Sequence, residues 1–178
     1  MSTLEELAES AAGGDKEAFA ALYERLLEPV YRYLYWSLSS PEEAEDLAQE
    51  AFVRCLANIA AFDARKASFK SWVFRIAHNL LVDHLRRGRR TQELPAELES
   101  GQEPPSEAVE EEERRRAVYS VLKELPEAQR QVIVMKYFTE MSNEEVGAVL
   151  GRSPGAVNAL QHRALRKLGR LLEKRGWH

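Results

Sequence analysis

The 178-residue chain has a single cysteine, Cys55. That excludes an intramolecular disulfide and a cysteine-based zinc site, and it suits a reducing cytoplasm. No run of about 18 apolar residues occurs, so no segment is expected to span a membrane. The opening MSTLEELAES is polar and acidic. It lacks a basic start and an apolar stretch, so it is not expected to act as a signal peptide. No sustained alternation of apolar and polar residues marks a strand, and there is no glycine-rich phosphate loop. His78, His84, His162 and His178 form no pair four residues apart that would grip a metal on a helix. An enzyme is therefore not expected, nor a catalytic residue, a metal or a cofactor.

What is present is helical periodicity. Apolar content is 44% and charged content 30%, with a net charge of −4. Such a chain can bury a core, as one ordinary domain or two small ones. Ala44, Leu47, Ala48, Ala51, Phe52, Cys55, Leu56 and Ile59 recur at the spacing of one apolar helix face. Cys55 on that face reads as an inert buried thiol. Ser40 is a cap, Pro41 fits the first turn, and Glu43 is placed to close a capping box. Upstream, Phe19, Leu22, Tyr23, Leu26, Val30, Tyr33 and Leu34 predict a longer helix. Gly13-Gly14 separates it from a short first one. After Arg90 the composition changes. Nine glutamates and three prolines fall between Thr91 and Glu113, without a Lys or Arg. Such a segment buries little and predicts an extended tether. The reading is all-α: two small helical domains, 1–90 and 113–178, joined by a flexible acidic linker at 91–112.

The C-terminal lobe carries the sharpest local signal. Pro126 starts a helix holding Val132, Ile133 and Tyr137. Ser142 caps a short helix with Glu145 as its reciprocal partner, and Val146, Val149 and Leu150 form its buried side. Gly151 suits a left-handed helix end. Ser153-Pro154 then starts a longer helix whose Val157, Leu160, Ala164 and Leu168 face inward. Short helix, tight turn, longer helix is the helix-turn-helix pattern. Arg152, Asn158, Gln161, His162, Arg163, Arg166 and Lys167 lie on the outer face of the second helix. Amides can read an adenine edge there, and arginines can reach guanine or phosphate. A plain bundle with a solvated basic helix would show the same charges.

Residues 68–90, SFKSWVFRIAHNLLVDHLRRGRR, place four arginines in the last five positions of an otherwise acidic protein. On a helix, Trp72, Asn79, Asp83, Arg86 and Arg90 share one stripe. Phe69, Val73, Ile76 and Leu80 form an adjoining apolar strip. Unstacked bases lie on aromatic faces, amides address base edges and arginines hold phosphates. Taken singly, Trp72 also reads as core and Asp83 with Arg86 or Arg87 as a surface ion pair.

DLAQEAFVRCL (46–56), FDARKASFKSWVFRIAHNLLVDHLRR (62–87) and LPEAQRQVIVMKYF…GRSPGAVNALQHRALRKL together resemble a bacterial RNA polymerase sigma factor. The short two-domain form is similar to the extracytoplasmic-function (ECF) branch of the sigma-70 family. The resemblance implies a transcription initiation factor, expected in a stress or envelope response. It would bind core RNA polymerase, recognise −35 and −10 promoter DNA and promote opening. It implies that Asp46, Gln49, Glu50 and Arg54 contact the clamp coiled coil of the polymerase largest subunit. It assigns Asp63, Arg65, Lys66, Ser68, Phe69, Lys70, Trp72, Asn79, Asp83, Arg86 and Arg87 to melting and reading the −10 element. It assigns Arg152, Ser153, Asn158, Gln161, His162, Arg163 and Arg166 to the −35 element. Many members carry Lys-Ser-Arg-Leu where this chain has Asn158-Ala159-Leu160-Gln161, so the base contacts there are open. The linker resembles the segment that threads near the polymerase active-centre cleft, and a plain tether fits its composition equally. An anti-sigma factor that packs between or over the lobes is a common further partner in the family. A cytoplasmic location follows from the same resemblance. Two rivals stay open: a helix-turn-helix regulator with an N-terminal interaction lobe, and a helical adaptor that binds only protein.

Overall fold

Thr3 opens the first helix. Its hydroxyl accepts a hydrogen bond from Glu6 N at 3.1 Å, and the Glu6 carboxylate accepts one from Thr3 N at 2.9 Å. Backbone donors that a helix start leaves unpaired are satisfied in this way. The computed structural model describes residues 1–38, 40–91 and 106–177. Helix α1 covers Leu4–Ala12, α2 Lys16–Leu38 and α3 Pro41–Asn58. A 3₁₀ turn at Ile59–Ala61 and a loop lead to α4, Phe69–Thr91. Then follow α5 (Ser106–Leu122), α6 (Glu127–Phe138), α7 (Asn143–Leu150) and α8 (Pro154–Lys174). No strand occurs among the described residues, in keeping with the all-α expectation.

The segment expected to be a linker divides in two. Residues 92–105 lie outside the described residues, and so does the stretch of the expected tether that they form. Helix α5 begins at Ser106, ahead of the boundary at 113. Its glutamates are matched by arginines one turn on. Glu112 is 3.0 Å from Arg116 Nε and 3.2 Å from Arg115 Nη2, and Glu111 is 3.3 Å from Arg114 Nη1. Pairs at this spacing each add about 0.2–0.5 kcal/mol to an exposed helix.

In the N-terminal half, α2 continues through Pro29 although proline removes one backbone hydrogen bond. Leu22, Leu26, Val30, Tyr33 and Leu34 are buried along one face and hold it in place. On α3 the buried residues are Ala44, Ala48, Ala51, Phe52 and Cys55, as the periodicity predicted. Burial pushes the Cys55 thiol up to about 12, so it packs as a small apolar group. Leu56 departs from the expectation and is 57% exposed. It lies about 90° round the helix from the line through Ala48 and Cys55, outside the buried face. The capping box at Ser40 is also only half made. Ser40 Oγ accepts from Glu43 N at 3.3 Å, but the Glu43 carboxylate turns to His84 Nε2 on α4, 3.4 Å away.

In the C-terminal half, the Ser142–Glu145 capping box and the Ser153 cap form as expected. Gly151 ends α7 with φ +65°, the left-handed conformation that favours glycine. Gly147 is required for a different reason. A Cβ there would sit 2.4 Å from the Arg152 carbonyl oxygen, so the absence of a side chain lets the turn close onto α7. Val132 and Ile133 of α6 are buried, whereas Tyr137, expected among them, is 54% exposed. Helix α6 packs on α2 and α7 on α4, so the buried side chains of both halves form a continuous cluster.

Tyr33 and His78 are a polar pair within this cluster, with the phenol oxygen 2.8 Å from His78 Nδ1. Burial raises the Tyr33 pKa, so the phenol keeps its proton and can donate it to the ring. Burial lowers the His78 pKa, opposed by Glu127 of α6, so the imidazole is held neutral as the acceptor.

Two predictions follow from these contacts. An exposed helical glycine usually gains about 1 kcal/mol on change to alanine. Gly147→Ala should instead destabilise the fold by about 1–3 kcal/mol through overpacking, read as a lower urea midpoint. An unchanged or higher midpoint would refute the close approach. For His78, the unfolded chain binds its proton below about pH 6.5 and the folded chain only at lower pH. Stability is therefore full above that value and falls as pH drops through the window between the two. The urea midpoint should decrease from pH 7.5 to 5.5 in the native protein and decrease less in His78→Gln.

Candidate nucleic-acid interface

The site begins in the loop that launches α4. Asp63 Oδ1 accepts from the backbone and Nε of Arg65, both at 3.0 Å, and Oδ2 accepts from Nη2 at 3.1 Å. The Arg65 guanidinium, then the Arg65 backbone N–H, hold the Asp63 carboxyl below the usual carboxylate range. Asp63 thus shapes the loop while Arg65 and Lys66 face solvent. Ser68 is taken up as a cap: its hydroxyl accepts from Ser71 N at 3.1 Å. Glu5 of α1 accepts from Phe69 N at 3.1 Å and reinforces the same helix start.

Phe69 does not stand where a strand contact requires it. Its ring is 1% exposed, packed between Phe62 at 5.1 Å and Trp72 at 5.5 Å. The three rings form a platform in which Phe69 is buried and Phe62 and Trp72 are each partly buried. This corrects Phe69 from a base contact to a support. Its place at the start of the apolar strip was the signal for it. Lys70 is also engaged elsewhere, since its ammonium donates to the Thr139 carbonyl at 3.1 Å. Further along α4, Asn79, Asp83, Arg86 and Arg87 are exposed, in line with the expected stripe.

The structure joins two groups that the sequence kept apart. Trp72, Ile76 and Asn79 of α4 line a cleft of about 330 Å³ with Arg54 and Asn58 from the end of α3 and Ala61 of the 3₁₀ turn. Arg54 also pairs with Glu50 at 2.9 Å, both half-exposed. Such a surface pair is worth only about 0.3–0.5 kcal/mol, so it fixes geometry more than stability. Asp46 and Gln49 are exposed on the same helix, and Val53 at 63% and Leu56 at 57% add apolar surface beside them. A second concavity of about 420 Å³ lies between α2 and α3, with Glu24, Glu28, Tyr31, Glu45 and Gln49 in its walls. The sequence reading missed it. Glu24, Glu28 and Tyr31 recur at one-face spacing, which was the available signal.

Arg152 and the cap Ser153 ahead of α8, and Asn158, His162, Arg163 and Arg166 on it, are exposed. Gln161 is half-buried, and its amide donates to the Tyr137 hydroxyl at 2.9 Å. The exposed Tyr137 thereby belongs to this surface. Gln129, Arg163, Arg166, Lys167 and Arg170 line a basic hollow of about 310 Å³ between α6 and α8. Arg170 and Gln129 had not been singled out, although Arg170 follows Arg163 and Arg166 at helical spacing.

A helix-turn-helix with a basic second helix and an aromatic-to-arginine helix on a separate bundle narrow the choice of family. Two family models match in the same order: Sigma-70 region 2 over residues 22–91 and Sigma-70, region 4 over residues 115–168. The chain belongs to the sigma-70 family. Its relatives place it in the ECF branch, among transcription initiation factors. The ECF RNA polymerase sigma factor SigW of Bacillus subtilis is 36% identical over 170 residues, covering 86% of this chain and 90% of that protein. BldN of Streptomyces coelicolor is 33% identical over 171 residues, covering 94% of this chain but 65% of BldN. Among solved structures, CnrH in complex with the cytosolic domain of CnrY has a TM-score of 0.75 at 29% identity, covering 94% of this chain and 96% of that one. RpoE of Bartonella quintana shares the fold, with a TM-score of 0.69 at 22% identity over 88% of this chain and 98% of that one.

Within a sigma region 2, the two supports identified here should separate from the contacts. Ser68→Ala should cost about 1 kcal/mol of stability through the lost cap and leave the salt dependence of DNA binding unchanged. Lys66→Ala should leave stability unchanged and lower the slope of log affinity against log salt by roughly 0.7 for a single strand. The same shift in slope from both variants would contradict the division of labour.

Proposed function

We propose that the two halves of this sigma factor read two parts of one promoter while α3 holds core polymerase. In this reading residues 1–90 form region 2, 91–112 the tether and 113–178 region 4. Asp46, Gln49, Glu50 and Arg54 contact the clamp coiled coil of the polymerase largest subunit. The acid on α3 and the apolar edge of Val53 and Leu56 give that face a charge-plus-contact character suited to a basic partner helix. The observation that carries the reading is the platform of Phe62 and Phe69 beneath Trp72, with Asn79 one helical repeat along and Arg86 beyond. A base unstacked from the −10 region can lie on Trp72. Asn79 addresses an edge, and Arg65, Lys66, Arg86 and Arg87 hold the phosphates of the separated strand. Strand opening is then stabilised by capture alone, without catalytic chemistry, so the protein acts as a non-enzymatic factor.

Region 4 places α8 in the major groove of the −35 duplex. Asn158 and His162 stand near the helix start where base edges are reached. Arg163 and Arg166, with Lys167 and Arg170 in the basic hollow, are suited to phosphate. Gln161, braced by Tyr137, is set in orientation rather than free to adapt. The protein works where polymerase works, in the cytoplasm. No helix among the described residues is long and apolar enough to cross a membrane. A protein regulator that covers both halves, an anti-sigma factor, fits a fold shared with CnrH, which was solved with the cytosolic domain of CnrY.

The test is transcription by core polymerase from the source bacterium on fragmented genomic DNA, with and without the protein. New RNA 5′ ends with two shared upstream elements are expected. Arg163→Ala should reduce use of these starts by roughly 5- to 150-fold, the range for a lost guanine or phosphate contact worth about 1–3 kcal/mol. Binding to promoter DNA without any binding to core polymerase would favour the helix-turn-helix regulator instead.

A further inference from the structure

One side chain of the basic helix α8 has its direction set by another helix. Gln161 lies about two turns into α8, at the edge of the buried stripe of Val157, Leu160 and Ala164. Asn158, three residues back, is its neighbour on the exposed side. Gln161 Nε2 donates to the hydroxyl of Tyr137, on α6, at 2.9 Å. In the Lys-Ser-Arg-Leu pattern of many family members this position is leucine, which cannot make such a bond.

Tyr137 is suited to hold the amide. Its ring is 54% exposed and stands at the outer surface, beside α8. The backbone beneath it is fixed. Val134 and Met135 are buried, and Lys136 Nζ donates to Asn143 Oδ1 at 2.7 Å, tying the end of α6 to the start of α7. A tyrosine turns about only two side-chain bonds, so it brings its hydroxyl to a set point at low entropic cost. A glutamine left alone would present its oxygen and its NH₂ group to a base in either order.

The inventory of the amide then decides what it can read. It has two N–H donors and one oxygen. One N–H is taken by Tyr137, which leaves one donor and the acceptor. Adenine shows one acceptor, N7, and one donor, the N6 amino group, at its major-groove edge, and a glutamine amide pairs with both. Guanine shows two acceptors there, N7 and O6, so the amide oxygen would face an acceptor. Cytosine and thymine each offer a single polar group and satisfy half of the amide.

We propose that Tyr137 is a positioning residue for base recognition. It holds the Gln161 amide so that α8 selects an adenine at one base pair of the −35 duplex. The proposal rests on the placement of α8 in that duplex.

The test uses holoenzyme assembled from core polymerase and the full chain. The template is one promoter found by genomic transcription, with each −35 base pair changed in turn to the other three. RNA yield from each template gives a base profile. Loss of folded protein lowers all templates equally, so the profile does not respond to it. The native protein should favour adenine at one position by roughly 5- to 150-fold. Gln161→Ala should flatten that position alone. Tyr137→Phe keeps the ring and lacks the hydroxyl. It should lower the preference there by about 2- to 10-fold, the effect of a single hydrogen bond, and leave the other positions as they were. Gln161→Glu, an acceptor alone, should move the preference to cytosine, whose N4 amino group donates. Three results overturn the proposal: a profile that Gln161→Ala leaves unaltered, a Gln161-dependent position that favours a base other than adenine, or a Tyr137→Phe profile that matches the native one whatever its overall yield. Any of these, with Arg163→Ala still weakening use of the promoter, leaves α8 in the groove. A promoter indifferent to Arg163→Ala as well brings down the placement of α8 itself.

Discussion

Helix α4 buries Phe69, Val73, Phe74, Ala77 and Leu81 on one side, and everything the N-terminal half offers to nucleic acid hangs from that anchoring. A strand-capturing surface needs an aromatic ring that is exposed yet immobile. Solvent would normally leave such a ring free to turn. Here Phe62 and Phe69 pack against the partly buried Trp72, which limits the freedom of its ring. If a base stacks on it as proposed, the order lost on binding is correspondingly small. The same anchoring fixes the start of α4, where Ser68 and Glu5 satisfy backbone donors. The loop that begins at Asp63 is therefore held at both ends.

Charge is divided in the same spirit. The chain is acidic overall, at −4, while α8 and the far end of α4 are basic. An evenly basic protein of this size would adhere to any duplex through counterion release. Concentrating acid on α3 and α5 and base on α8 and the far end of α4 lowers that background and leaves the local attraction. The exposed ion pairs of α5 contribute little energy each, but they let a helix rich in glutamate form.

Much of this was legible in the sequence. Caps, turn glycines and periodicity are local, so Ser142 with Glu145, Gly151, Ser153 and the buried face of α3 could be read directly. What escaped depended on distance in sequence. Leu56 and Tyr137 look apolar and fall near a buried stripe, but both are more than half exposed, and Tyr137 accepts a hydrogen bond from Gln161 of α8. Glu43 was expected to close its own capping box, and a histidine about forty residues later competes for it. The family resemblance put Phe69 with the −10 residues, while its periodicity put it on the anchoring apolar strip. Whether a ring faces a strand or supports the one that does depends on the position of Phe62 and α1. The start of α5 was hidden by composition, since glutamates that read as solvated tether are also good helix formers when arginines follow at one-turn spacing.

The joining of the halves could not be read at all, and its chemistry explains why. Its polar contacts run from Arg32, Lys70 and Ser71 to backbone carbonyls at 138, 139 and 145. Any sequence supplies carbonyls, so no complementary residue marks the partner. Such contacts are also readily exchanged for water. A net contribution of about 0.5–1.5 kcal/mol is usual for each hydrogen bond, somewhat more where the donor is charged. Separating the halves returns both donor and carbonyl to solvent rather than stranding a buried charge. The lobe interiors are different, because opening them exposes side chains such as Leu22, Phe74, Val132 and Val157 that are wholly shielded. The polar contacts between the halves are thus easily exchanged, whereas the apolar cluster that runs through both is not.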